Sequence, residues 1–152
     1  SGPWQFGKQD QGFISLWLWR FINKGKLNYI GFGGFGNQVR DVIHVHDVCE
    51  LILEQIKKIN KINNKIFNVG GGLNNSISLK ELTFKSREIT KNNIHIGKIA
   101  KTSNYDIPYY VTDNKKIYSF YKWRIKRDLD TIINDTFEIL LKYKKIFKKK
   151  EL

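Results

Sequence analysis

The chain reads as an α/β protein, because helical and strand periodicities alternate along its 152 residues. Phe13, Ile14, Trp17, Leu18 and Phe21 recur at helical spacing, whereas Leu27–Ile30 and Lys65–Val69 are short apolar runs, and glycine clusters at 31–36 and 70–72 punctuate the change of period. A content of 41% hydrophobic and 14% aromatic residues is enough for a core, on a chain the size of one ordinary domain. No internal repeat or low-complexity linker interrupts the pattern.

In order, the spacing predicts an amphipathic helix from 13 to about 23, stopped by Lys24-Gly25-Lys26, then a strand over 27–30 that enters the glycine turn. After the turn an alternating strand is expected, with Val39, Asp41, Ile43 and Val45 on one face and Gln38, Arg40, Val42, His44 and His46 on the other. Asp47 falls in the first turn of a second helix, where a carboxylate suits the helix dipole, and Val48, Cys49, Ile52, Leu53 and Ile56 form its expected buried stripe. Lys65–Val69 is the next predicted strand. Ser78-Leu79-Lys80-Glu81 is a capping box opening a helix over 79–90. Ile94–Ile99 and Ile107–Val111 are weaker strand candidates; Asp113 is expected to cap a short helix through Phe120. Asp128 is expected to cap the last helix, with Leu129, Ile132, Ile133, Thr136, Leu140 and Tyr143 inward.

The formal net charge of +13 invites a nucleic-acid reading. Its distribution argues otherwise. Only five of the 27 basic residues are arginine, lysine is spread over the whole chain, and no recognition module with stacking aromatics or zinc ligands can be read. The dense run, residues 142–152, is read as a lysine-rich helix end or tail that frays into solvent. No cleavable leader opens the chain and no apolar run reaches ~18 residues, so no membrane span is expected. The single cysteine, Cys49, excludes an internal disulfide; cytoplasm is the expected location. With no methionine and serine first, the chain is expected to be a processed or partial product.

Among the chemical candidates, Gly31-Phe32-Gly33-Gly34-Phe35-Gly36 satisfies Gly-x-Gly-x-x-Gly literally. That fingerprint holds a dinucleotide because its third glycine opens a helix, and here a strand pattern follows, so NAD is not expected at this loop. Arg40, at the exit of the turn on a strand, projects in a fixed direction, as two-pronged recognition of a phosphate requires. The plainer alternative is an ion pair that fixes the turn. His44, His46, Asp47 and Cys49 are close in sequence, but metal binding is not expected, since four ligands need convergent geometry. Trp4, Trp17 and Trp19 are read as packing residues.

The stretch Gly31–Asp47 resembles the "glycine-rich turn, then Val-Arg-Asp, then His-Val-x-Asp" signature of the extended short-chain dehydrogenases/reductases, the NAD-dependent epimerase/dehydratase family. Other pieces fall in the same order. Trp4-Gln5-Phe6 with Asp10-Gln11-Gly12, then Phe67-Asn68-Val69-Gly70-Gly71, then Tyr110–Ile117 and Trp123, resemble the branch of CDP-sugar 2-epimerases acting on tyvelose and paratose.

The resemblance implies the C-terminal substrate-binding lobe plus the last strands and helices of a Rossmann-type NAD-dependent epimerase, with the N-terminal nucleotide-binding part absent. NAD and the catalytic Tyr-x-x-x-Lys pair would then belong upstream of Ser1, and no catalytic residue is assigned here. Tyr118–Lys122 and Tyr143–Lys145 contain the residue types, but neither is taken as that pair. The substrate implied is a nucleoside-diphosphate sugar, CDP-linked in this branch, with a 4,6-dehydratase, a 4-epimerase or a basic nucleic-acid or membrane module as alternatives. Arg40 would contact the diphosphate, Ile30 and Phe32 the base, and Gln5, Gln11 and Gln38 the substrate's polar groups. The family's second phosphate arginine falls on Ser103, counting back from Asp106. Partners implied are the missing N-terminal half and a homo-oligomer. Apolar faces around Ile66, Val69 and the Val48–Ile56 stripe are expected to be left without their sheet.

Overall fold

Two apolar clusters, a larger one that takes residues from helices and from both small sheets and a smaller one between helices and loops, organise the computed structural model, which describes residues 1–5, 12–62 and 64–149. Gln11 lies outside the described residues. Helix α1 (Phe13–Ile22) is buried almost all round, and its end follows the expected stop: Lys24 turns left-handed and the Gly25 amide donates to the Arg20 carbonyl at 2.8 Å. It packs against α3 (Leu79–Thr90) and α5 (Leu129–Lys142). The Trp17 indole and the Tyr29 hydroxyl both donate to Thr83 Oγ1, at 2.9 and 2.7 Å, so the polar tips of a buried and a half-buried ring are satisfied on one α3 residue.

The sheets are short. β1 (Leu27–Ile30) pairs in parallel with β4 (Ile96–Ile99), and β2 (Val39–Asp41) lies between antiparallel β3 (Ser76–Ser78) and parallel β5 (Tyr109–Tyr110). β3 runs directly into α3, whose capping box forms in full between Ser78 and Glu81. The second cluster joins α2 (Val45–Lys57) to α4 (Lys115–Phe120) through Leu51, Ile117, Tyr121 and Trp123.

Five expectations need correction. The strand after the glycine turn stops at Asp41, because His44 becomes the N-cap of α2, its Nδ1 accepting from the His46 amide at 3.1 Å. The α2 stripe is turned outward: Asp47 and Leu51 are the buried residues, while Cys49, Ile52, Leu53 and Ile56 face solvent. Lys65–Val69 is not a strand, since no described strand lies beside it, and Ile66 is 84% exposed. The N-cap position of α4 is Asn114, one residue later than expected, but its side chain makes no capping bond, and the Asp113 carboxylate is the group that accepts from the Lys115 amide, at 2.8 Å. The lysine-rich end is not a frayed continuation of α5. A break at Tyr143 starts a short helix α6 (Lys144–Lys149), and its Phe147 is fully buried against Trp19 and Trp4.

Candidate functional site

Strand β2 carries Arg40 and Asp41 to opposite sides, as the two-residue period requires, and both side chains tie distant segments to the sheet. Asp41 Oδ2 accepts from the amides of Gly72 and Thr112, at 2.9 and 3.1 Å, and so locks the second glycine turn onto the exit of β5. A Cβ at Gly70 or Gly71 would collide with Asp41, Thr112 or the Val42 carbonyl, which explains why this turn is built of glycine. Buried Asn114 completes the lock by exchanging two hydrogen bonds with Gly70.

Arg40 points the other way. Its guanidinium donates to the Val39 carbonyl at 2.7 Å, to the Asp106 carboxylate at 2.5 Å and to the Ile107 carbonyl at 2.6 Å, and it remains 28% exposed. The ion pair weighed as the plainer reading is therefore made. It does not exhaust the group: of five N–H donors, three are engaged among the described residues, leaving one on Nε and one on Nη1; because Nη2 is used twice and both two-donor edges of a guanidinium include it, the two-pronged phosphate contact expected from the sequence is not open and the remaining donors act singly.

The 99–107 segment also holds the first glycine loop. The amides of Gly31 and Gly33 donate to the carbonyls of Ile99 and Ala100, that of Gly34 to Gly31, and that of Phe32 to Thr102 Oγ1 at 2.7 Å. A pyrophosphate cradle needs those N–H groups free at the start of a helix. Here they are committed, a strand follows, and this loop does not fit NAD.

Of the sequence-predicted residues, Ile30, Phe32, Gln38, Arg40 and Ser103 are thereby drawn into one neighbourhood. Ile30 is exposed at the strand end, and Phe32 is half-buried with a left-handed backbone. Gln38 is a buried brace, its Nε2 donating to the Ile30 carbonyl at 2.8 Å while its Oε1 has no partner. Ser103 forms a turn, accepting from the Asp106 amide through its carbonyl and from the Tyr105 amide through its hydroxyl. Gln5 sits apart, in the N-terminal turn at Gly2 that packs on His44 and Val45. Sequence reasoning missed Thr102 as the peg of the loop, for which no local signal exists, and used Asp106 only as a counting mark for Ser103, without a partner for its carboxylate.

Tyr118 needs its own correction, because Lys122 does stand four residues later and spacing gave no ground for setting the pair aside. The structure supplies one. α4 ends at Phe120 and the backbone turns extended at Tyr121, so Lys122 leaves the helix on which a catalytic pair would share a face. Burial also pushes the Tyr118 phenol up, the wrong direction for a base, and the Arg124 guanidinium lies 4.4 Å from its ring.

His44 is fully buried, and burial followed by the neighbouring His46 holds its imidazole below the ordinary histidine range. Its Nε2 lies 3.3 Å from Asp135, a contact that is an ion pair only with the proton on; the lowered pKa makes the ring neutral near pH 7. Asp47 is fully buried too, accepting from Arg127 Nη1 at 2.6 Å and from the Arg127 amide at 3.2 Å. Among the described residues no group of three or more His, Cys, Asp or Glu could hold a metal, and no helix is long and apolar enough to cross a membrane.

Residues 1–70 match the profile of the "NAD dependent epimerase/dehydratase family", and the chain belongs to that family. It is 30% identical over 127 residues, 82% of its length, to a CDP-paratose 2-epimerase of Salmonella typhi, of which it spans 37%. Solved structures share its fold, two of them as follows. The UDP-glucose 4-epimerase of Thermus thermophilus in complex with NAD matches at a TM-score of 0.78 and 18% identity, over 94% of this chain and 44% of that one. The UDP-glucose 4-epimerase of Thermotoga maritima with UDP-glucose matches at 0.73 and 23% identity, over 93% and 43%.

Proposed function

We propose that this chain is the nucleotide-sugar-binding part of an NAD-dependent epimerase acting on a CDP-linked sugar, and that it anchors the nucleotide diphosphate through Arg40. The observation that carries the reading is the two separate N–H donors, on Nε and Nη1, left on a partly exposed guanidinium that Asp106 and two carbonyls hold in place. A charged group already held in place meets phosphate oxygens with little ordering to do, and charge assistance makes each bond stronger than a neutral one. Ile30 and Phe32 offer apolar surface to the base, and Thr102 fixes Phe32 in place. The CDP preference is supported by the Salmonella relative.

The engaged amides of Gly31–Gly34 support a division of labour in which NAD and the proton-transferring residues belong to the part of the family's fold that this chain does not span. That part would cover the outward stripe of α2 and pair with the extended 65–69 segment. The chain alone then neither retains NAD nor epimerises a nucleotide sugar.

The test is calorimetry with CDP, UDP and dTDP on the chain expressed together with the nucleotide-binding portion of the Salmonella relative. CDP should bind tightest. Arg40→Ala should weaken CDP by about 1.5–3 kcal/mol, on the order of tenfold to a hundredfold, and Arg40→Lys should recover only part, because an ammonium keeps the charge and loses the braced plane of donors. Unchanged CDP affinity in a folded Arg40→Ala protein would make Arg40 a structural ion-pair residue; equal affinity for the three nucleotides would move the reading to another nucleotide sugar.

A further inference from the structure

Strand alternation gives the β1–β4 ribbon two faces, and the reading above uses only one. Tyr29 and Lys98 are register partners on the face away from Ile30 and Ile99. Behind them opens a cleft of about 660 Å³, closed on its far side by α3 and at one end by the glycine loop. α3 presents Lys80, Thr83, Phe84 and Arg87 to it, spaced i, i+3, i+4 and i+7, which is one face of a helix. The size suits one small ligand.

Its lining is cationic and aromatic, without a carboxylate. Lys80, Arg87 and Lys98 converge there, and none makes an ion pair with a described acidic residue. Their neighbours differ. Lys85, on the same helix, is paired with Asp130, and Lys126 and Arg127 with Glu50 and Asp47. Three unpaired cations in one concavity raise a local positive potential that an anion relieves. Phe35 and Phe84 also line it, each more than half exposed, and the Lys98 ammonium sits 5.5 Å from the Phe35 ring. The fixed wall requires glycine: a Cβ at Gly36 would strike the Tyr29 ring, and one at Gly34 would strike Lys98, both at left-handed φ.

We propose that this cleft is a second ligand site, separate from Arg40, which binds a nucleoside phosphate with its phosphate among Lys80, Arg87 and Lys98 and its base against Phe35 or Phe84. Cations alone would suit any anion. Exposed rings set among them add the stacking that a base supplies and inorganic phosphate does not. Thr83 contributes no specificity, since its hydroxyl already accepts from Trp17 and Tyr29 and donates to Leu79.

The experiment is an amide-shift titration of the isotope-labelled 152-residue chain with ADP, adenosine, inorganic phosphate and a mixed-sequence single-stranded DNA of about ten nucleotides. ADP should shift the amides of Lys80–Arg87 and 94–98 saturably, in wild type and equally in Arg40→Ala, with weakening as salt rises. Phosphate should bind more weakly than ADP, and adenosine should not saturate. Arg87→Gln with Lys98→Gln, both exposed and neutral in their effect on folding, should weaken ADP by tenfold or more, and Phe84→Ala should weaken ADP while leaving phosphate unchanged. The proposal is overturned if these amides do not respond, if adenosine binds as well as ADP, if the double variant binds ADP normally, or if the oligonucleotide binds far more tightly than ADP over many sites, which would make the cleft part of a nucleic-acid surface.

Discussion

The two apolar clusters are built from similar helices and end in opposite conditions. In the first, α1 is buried almost all round because α3, α5 and α6 close over it. In the second, α2 buries Asp47 and Leu51 and turns Ile52, Leu53 and Ile56 to solvent, beside an extended segment whose Ile66 has no cover. The difference teaches that amphipathicity marks a face that wants burial, not one that has it within this chain. The first cluster holds the lobe together; the second leaves an apolar face at the surface.

The largest effect that would test this contrast is in the closed cluster. Phe21→Ala removes a fully buried ring from α1 and should cost about 3–5 kcal/mol, since the three packed helices cannot collapse into the void. Urea unfolding followed by far-ultraviolet circular dichroism measures it. A loss below about 1 kcal/mol would mean that the first cluster is loosely packed and the contrast is false.

A smaller effect concerns how the open cluster is joined to the rest. His44 at the start of α2 faces Asp135 of α5, His46 and Asp47 of its own helix, and Arg127 ahead of α5. Its folded pKa is depressed, so the unfolded chain binds the extra proton; the neutral ring's contribution is complete above about pH 6.5 and is lost as pH falls below it toward the folded value. Glu50, Glu81 and Asp128, also lowered, lose theirs only in the more acidic carboxylate range. Urea midpoints should therefore fall between pH 7 and 5 in wild type and stay flatter in His44→Asn, which keeps an N-cap acceptor. A midpoint that rises on acidification would mean that the His44–Asp135 ion pair dominates burial.

Much of the fold was legible because local rules decide it. The stop at Lys24-Gly25, the Ser78–Glu81 capping box and the inward face of α5 each depend on a few consecutive residues. What was not legible depends on long-range partners. Lys65–Val69 has strand composition, but a strand exists only beside another; α2 has a stripe, but whether it is covered is decided by what lies against it. His44 was placed on a strand because alternation continues through it, and one side-chain bond to the His46 amide converts it to a cap. At the site, the direction of Arg40 followed from the strand period, and its partner Asp106, 66 residues away, did not. Phe147 shows the same limit: within a lysine run it reads as tail, and the buried rings beneath it make it an anchor.

The smallest effect on stability is the most telling about the interface. Leu53 and Ile56 are each 58% exposed, so Leu53→Ser with Ile56→Ser should change unfolding free energy of the chain by no more than about 0.5 kcal/mol per site, apart from the lower helix propensity of serine. The same pair should lower the binding of a hydrophobic dye and reduce self-association, because it removes the centre of the outward stripe. A covered stripe would behave in reverse, with a large loss of stability and no dye to displace. If wild type is a dye-negative monomer with a sharp melt, or if the double variant unfolds, α2 is already buried in solution and the second cluster is as complete as the first.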